Sequence, residues 1–128
     1  MSRNYKFHDQ EQIYFISFAT VYWVDVFIRP IYKNILVESI QYCIEAKGLL
    51  VYVWVIMTSH VHMIIGTRQV KMQDIVRDLK KFSSKKIIEA IQNNPVVEGF
   101  VNETYEYKYS SAIDYSGGKG LINVEIID

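Results

Sequence analysis

An unbroken apolar segment near the middle of the chain restricts the possible folds more than any other feature. It spans Leu49 to Met57, reads LLVYVWVIM and contains no charged side chain. Such a run, rich in β-branched and aromatic residues, is typical of a central strand that is buried on both faces. The chain is therefore expected to build a sheet around this segment.

The residues before this segment predict a strand followed by a helix. The stretch IYFISFATVYW, residues 13–23, is rich in β-branched and aromatic residues and predicts the first strand. Pro30 suits the first turn of a helix, and Gly48 marks its end. Between them, apolar residues follow the three-and-four spacing of a helix face. These are Tyr32, Ile35, Leu36, Ile40, Cys43 and Ile44.

The residues after the central segment continue the alternation. A short turn leads into HVHMIIG, residues 60–66, which predicts a third strand, and helical spacing then extends over residues 72–91 until Asn-Asn-Pro stops it. A last strand is predicted in LINVEII, residues 121–127, after the turn-forming SGGKG. The order β-α-β-β-α-β predicts a ferredoxin-like α+β fold, an antiparallel sheet with two helices on one face.

Length and composition indicate one globular domain over residues 1–128. No apolar stretch approaches the roughly 20 residues of a membrane span, and the polar N-terminus has no signal-like apolar region, so a cytoplasmic protein without membrane association is expected. Cys43 is the single cysteine and lies in a helical pattern. It is expected to be a buried, unreactive thiol.

The charge distribution is more informative than the net charge. Fourteen basic and fourteen acidic residues cancel, which argues against a molecule that binds polyanions over its whole surface. The segment RQVKMQDIVRDLKKFSSKK, residues 68–86, nevertheless holds seven basic and two acidic residues. A run of this kind is ordinarily a solvated helix face, and it indicates phosphate binding only when other features point to DNA or RNA.

Two histidines, His60 and His62, occupy alternate positions of the third predicted strand. Side chains alternate along a strand, so both imidazoles are expected on one face while Val61 and Met63 point to the other. Two imidazoles held side by side can share a divalent cation. The alternative is two half-exposed histidines, or one bonded into the core. A cupin-like metal site is disfavoured, because it needs a further histidine and the third one, His8, lies in the polar N-terminus.

The segments YVWVIMTSHVHMII and MQDIVRDLKKFSSKKI resemble the single-tyrosine HUH transposases of bacterial insertion sequences, particularly the REP-associated branch. In that family a hydrophobic strand ends in Met-Pro-x, His-hydrophobic-His follows, and the next helix carries Lys-x-x-x-Ser/Thr. Thr58 stands where the family usually has proline. The resemblance continues through NNPVVEGFV and YKYSSAIDY and covers nearly all of the chain.

The resemblance implies a fold, a chemistry and a set of partners. The fold is the ferredoxin-like one, and Mg²⁺ or Mn²⁺ bound by His60 and His62 would polarise the scissile phosphate. A tyrosine would attack that phosphate and form a 5′-phosphotyrosine link to single-stranded DNA. The protein is then expected to act as a homodimer on single-stranded or hairpin DNA. The DNA backbone would be bound by Arg77, Lys80, Lys81, Lys85 and Lys86.

The nucleophile departs from the family pattern. Relatives carry it in a late helix written roughly Asp-Tyr-Ile-x-x-Asn-Pro-Val-x-x-Gly, and the matching stretch here is EAIQNNPVVEGFV, with Ala90 at the tyrosine position. Several dozen residues that relatives carry before this motif are absent, which suggests an internal deletion. The family also implies a third metal ligand from this helix, for which Asn94 or Gln92 is the candidate.

The C-terminal part of the chain offers four tyrosines as substitutes for the missing nucleophile. Tyr105, Tyr107 and Tyr109 alternate along one extended segment and are expected to be packing residues. Tyr115 precedes SGGKG and is the candidate with the greatest reach. Two functions therefore stay open: a DNA transposase that cleaves and rejoins single strands, or a catalytically dead remnant that binds hairpin DNA or only dimerises.

Overall fold

The computed structural model describes residues 13–19, 26–68, 70–93 and 109–127. Within them the chain forms three strands, two long helices, a short 3-10 turn and one short helix. The strands are β1 (Tyr14–Ala19), β2 (Leu49–Ile56) and β3 (His60–Thr67), and the helices are α1 (Pro30–Lys47), α2 (Met72–Asn93) and α3 (Ala112–Tyr115), with the 3-10 turn at Val26–Ile28.

The three strands form one antiparallel sheet in the order β1-β3-β2. The last hairpin strand, β3, therefore lies between the two strands that α1 connects, which is the split arrangement of a ferredoxin-like fold. The predicted fold class is confirmed. Residues 20–23 of the predicted first strand lie outside the described residues.

Helix α1 begins and ends where the sequence predicts. Arg29 has an extended backbone, and Pro30 occupies the first turn, where its missing N–H costs no hydrogen bond. Gly48 adopts the left-handed conformation with φ 75°, and its N–H donates to the carbonyl of Cys43. A left-handed residue at this position closes a helix, and glycine adopts it without a Cβ penalty.

The hydrophobic core lies between the two long helices and one face of the sheet. Val61, Met63 and Ile65 of β3 point into it and are almost fully buried. The helices and the neighbouring strands supply the rest of the core, including Ile16, Phe18, Leu36, Ile40, Trp54, Met72, Ile75 and Leu79. Cys43 is also buried, as predicted, and burial raises the pKa of its thiol to about 11.

The C-terminal segment departs from the prediction. In place of a strand over residues 121–127, Val124 makes one parallel bridge to Val51, and the N–H of Glu125 donates to the Val51 carbonyl at 2.7 Å. Residues 109–111 pair with the same edge of β2 through another isolated bridge, Ser110 with Val55. The sheet therefore has short backbone contacts at this edge where the sequence predicted a continuous strand.

The position of β2 also differs from the prediction. The sequence predicted a central strand with both faces buried, but β3 is the central strand and β2 lies beside it. Leu49, Val51, Trp54 and Ile56 are buried, whereas the residues between them are only half-buried. The reason is that α1 and α2 cover a single face of the sheet, and an apolar sequence does not reveal which faces will be covered.

Candidate metal and nucleic-acid site

His60 and His62 lie on the face of the sheet that the two long helices leave uncovered. Strand alternation places their side chains opposite to Val61 and Met63, which are buried under the helices. In the sheet register, His62 lies between Ser17 of β1 and Val55 of β2. The predicted placement of both imidazoles on one face is therefore confirmed, and the central strand holds them in place.

Three rings form a row on this uncovered face. The imidazoles of His60 and His62 have centroids 5.9 Å apart and planes within 6° of each other. The phenyl ring of Phe15, on β1, lies 5.9 Å from the ring of His62 at an interplanar angle of 25°. The sequence places Phe15 in a strand but gives no sign of this contact, because it depends on the register between β1 and β3.

The ring nitrogens decide how well the pair suits a cation. Nδ1 of His60 lies 3.0 Å from the hydroxyl oxygen of Ser59. In the tautomer that donates to Ser59, Nε2 carries the lone pair that a metal ligand needs. Nδ1 of His62 is buried and has no hydrogen-bond partner in the described part of the chain. Metal-binding histidines ordinarily donate this second N–H to an acceptor, so His62 meets the requirement only in part.

The described residues supply an incomplete set of ligands. They contain no group of three or more His, Cys, Asp or Glu side chains close enough to hold a metal ion. Gln92 is exposed near the C-terminal end of α2, and Asn94 lies outside the described residues. The imidazole pair therefore fits a divalent cation in ligand type but supplies only two of the ligands that such an ion needs. The metal roles of Gln92 and Asn94 stay predictions.

The basic residues of α2 lie on the covered side of the sheet. Lys80 Nζ is 5.8 Å from the ring centroid of Phe18, which faces the core, and partial burial lowers the pKa of Lys80. Arg77 is exposed and forms ion pairs with Asp74 at 3.4 Å and Asp78 at 3.3 Å. The other three basic residues are also exposed: Lys81, Lys85 and Lys86.

One of these basic residues, Lys80, nevertheless lies near the end of the sheet that carries the histidine pair. Phe18, under Lys80, pairs in the register with Val61, which is the residue between the two histidines. No described carboxylate forms an ion pair with Lys81, Lys85 or Lys86. A nucleic-acid backbone that passes this end of the sheet could therefore contact Lys80 as well as the histidine pair.

Ala90 belongs to the same continuous helix as the basic residues. Helix α2 extends without a break from Met72 to Asn93. Ala90 and Ile87 are partly buried and pack against the hydrophobic core. The residue that the resemblance aligns with the nucleophile, Ala90, is therefore directed toward the core, whereas His60 and His62 occupy the opposite face of the sheet.

Two of the late tyrosines are engaged in hydrogen bonds. Tyr109 is buried, as predicted for a packing residue, and its hydroxyl donates to Asn34 Oδ1 at 2.5 Å. The hydroxyl of Tyr115 donates to the carbonyl of Tyr52 at 2.8 Å and accepts from the N–H of Ile127 at 3.2 Å. Tyr105 and Tyr107 lie outside the described residues.

The hydrogen bonds of Tyr115 fix its position relative to the histidine pair. His62 pairs with Val55 in β2, three residues beyond Tyr52. At about 3.3 Å per residue, this offset is roughly 10 Å along the strand. The structure therefore brings His60 and His62 together and leaves Tyr115 at a different place on the sheet.

The fold and the site define an antiparallel α+β protein with a His-x-His pair on the uncovered face of its sheet. A family model described as "Transposase IS200 like" matches residues 10–114. The match extends over most of the chain, so the chain belongs to this family of single-tyrosine DNA transposases. No curated protein and no solved structure matches it. No helix in the described residues is both long and apolar enough to cross a membrane.

Proposed function

We propose that this transposase-family protein binds single-stranded or hairpin DNA and that His60 and His62 would hold Mg²⁺ or Mn²⁺ at the site of binding. Membership of the family supports DNA as the partner, and the paired imidazoles on a rigid central strand support the cation site. When bound, the cation supplies Lewis-acid polarisation of the phosphate. Imidazole ligands suit Mn²⁺ better than Mg²⁺, which prefers oxygen ligands.

The basic face of α2 supports the same function. Lys81, Lys85 and Lys86 are exposed on the same helix as Lys80, which lies near the histidine end of the sheet. Phosphate contacts of this kind provide affinity and orientation with little sequence readout. Arg77 and Lys80 contribute less, because Arg77 is shared with two aspartates and Lys80 is partly buried.

The protein is further proposed to bind its DNA without forming a phosphotyrosine link. One observation supports this step: Ala90, which the resemblance aligns with the family's tyrosine, packs against the core from an uninterrupted helix. Covalent catalysis requires a nucleophile held in line with the phosphate, and misplacing it forfeits most of the rate. Of the two functions that the sequence leaves open, this is the catalytically dead remnant that binds hairpin DNA. A shortening of the chain before Asn93 is proposed as the cause.

An active strand-transfer enzyme is the second candidate, with Tyr115 as nucleophile. The observation in its favour is that the Tyr115 side chain is 42% exposed and bonded only to main-chain groups in the described residues. The phenol would have to leave the edge of β2 and travel roughly 10 Å to reach the imidazole pair. Because the Tyr115 hydroxyl would have to break its hydrogen bonds and move this far, binding without cleavage is the favoured function.

Two further properties are proposed from the family alone. Proteins of this family are expected to act as homodimers, and a homodimer is proposed here. A cytoplasmic location is proposed because the DNA substrate of a bacterial element is found there. Size-exclusion chromatography with light scattering measures the first property directly.

The cation site is tested by titrating Mn²⁺ calorimetrically into the protein with a hairpin oligonucleotide present. Replacing both His60 and His62 with alanine is expected to weaken Mn²⁺ binding by at least about tenfold, because both imidazole ligands are lost. His8→Ala, at the third histidine, is the control and is expected to leave binding unchanged. Equal Mn²⁺ affinity in the double variant and the wild type would contradict the assignment.

A further inference from the structure

Phe15 is the most exposed large apolar side chain in the described residues, with 67% of its surface accessible. It projects from β1 on the same face as the histidine pair, two residues before Ser17, the cross-strand partner of His62. An isolated exposed apolar residue needs no explanation, but this ring is stacked on His62, a candidate metal ligand. The ring of Phe15 therefore lies beside the proposed DNA-binding site.

We propose that the ring of Phe15, stacked beside His62 on the uncovered face, receives an unpaired base of the bound DNA and so positions the neighbouring phosphate at the histidine pair. This inference rests on the proposed function and adds to it a positioning residue. The phenyl ring of Phe15 has no hydrogen-bonding group, so a stacked base of any identity would be accepted. Stacking platforms of aromatic side chains bind single strands in this sequence-tolerant way.

The geometry suits one nucleotide. The ring centroids of Phe15 and His62 are 5.9 Å apart, on adjacent strands of one sheet. One short piece of DNA can therefore place a base on the ring of Phe15 and the phosphate of the same or the next nucleotide beside His62. A base in a duplex is already stacked on both sides, so this contact favours single-stranded DNA or the unpaired part of a hairpin.

Other occupants of this face are a second copy of the chain or another segment of it. DNA is favoured because the family acts on DNA and because the neighbouring imidazoles can attract a phosphate, whereas a purely apolar partner would bury them without compensation. Exposed aromatic residues also occur on the helices, where Tyr42 of α1 is 50% exposed. Because the helices cover the opposite face of the sheet, Tyr42 serves as a matched control.

The experiment uses a hairpin oligonucleotide whose single-stranded tail carries 2-aminopurine, a base with fluorescence that stacking quenches. Phe15→Ala is expected to weaken binding roughly 5- to 150-fold and to abolish the quenching at one tail position. The salt dependence of binding is expected to stay the same, because no phosphate contact is removed. Phe15→Trp is expected to retain both affinity and quenching, and Tyr42→Ala is expected to bind like the wild type.

The outcomes separate this inference from the proposed function. A Phe15→Ala variant that binds the hairpin as tightly as the wild type would overturn the stacking role and leave the proposed DNA binding intact. Failure of the wild type to bind the hairpin at all would overturn both. A Phe15→Ala variant that keeps its melting temperature but dissociates to a smaller species on size exclusion would show that a second copy covers the ring, and would also overturn the stacking role.

Discussion

Replacing Lys81, Lys85 and Lys86 with glutamine is expected to weaken hairpin binding on the order of 50-fold at about 0.15 M salt. The three ammonium groups are exposed on α2, and no described carboxylate neutralises them by an ion pair. Each phosphate contact on a single strand contributes about 0.7 to the slope of log affinity against log salt concentration. Loss of three contacts is therefore expected to reduce the slope by about 2. Fluorescence anisotropy over a range of salt concentrations measures both quantities.

Two control variants distinguish these contacts from a general effect of charge. Lys119→Gln removes an exposed charge from the turn after α3 and is expected to leave the salt slope unchanged. Arg77→Gln is expected to have less effect than an average member of the lysine set, because Arg77 is already paired with Asp74 and Asp78. An unchanged salt slope in the triple lysine variant would contradict phosphate binding by this face of α2.

Replacing Trp54 with alanine is expected to reduce the free energy of unfolding by about 3–5 kcal/mol. Trp54 is fully buried in β2, where it pairs with Met63 of the central strand and contributes the largest side chain of the core. Its removal would leave a cavity between sheet and helices that the surrounding side chains cannot fill. Urea denaturation followed by circular dichroism measures the change.

Trp54→Phe is the matched variant. The indole Nε1 is buried without a hydrogen-bond partner in the described residues, so phenylalanine removes an unsatisfied donor and keeps most of the apolar volume. Its cost is therefore expected to be clearly smaller than that of Trp54→Ala. A loss below about 1 kcal/mol for Trp54→Ala would show that this part of the core is not packed as described.

Local features of the fold could be predicted from the sequence because short-range chemistry determines them. Pro30 and Gly48 mark the ends of α1, since proline lacks an N–H and glycine tolerates a positive φ. The central position of β3 and the short contact at Val124 could not be predicted in the same way. Strand order and edge pairing depend on distant parts of the chain. An apolar sequence is compatible both with the central strand of a sheet and with the strand next to it.

The candidate site was predictable to a similar extent. Alternation alone placed His60 and His62 on one face, because a strand has a period of two residues. The contact of Phe15 with His62 depends on register, and the bonds that hold the Tyr115 hydroxyl depend on where the C-terminal segment lies. The core-facing position of Ala90 likewise follows from the unbroken course of α2, which the family motif did not suggest.

The most direct test of binding without cleavage is incubation with hairpin DNA and Mn²⁺, followed by denaturing electrophoresis. The hairpin is expected to shift in a native gel, while no covalent adduct forms with the wild type. Ala90→Tyr is also expected to give no adduct, because position 90 packs against the core on the face opposite the histidines. A covalent adduct of the wild-type protein, mapped to Tyr115 or another tyrosine, would contradict this conclusion and identify an active transposase.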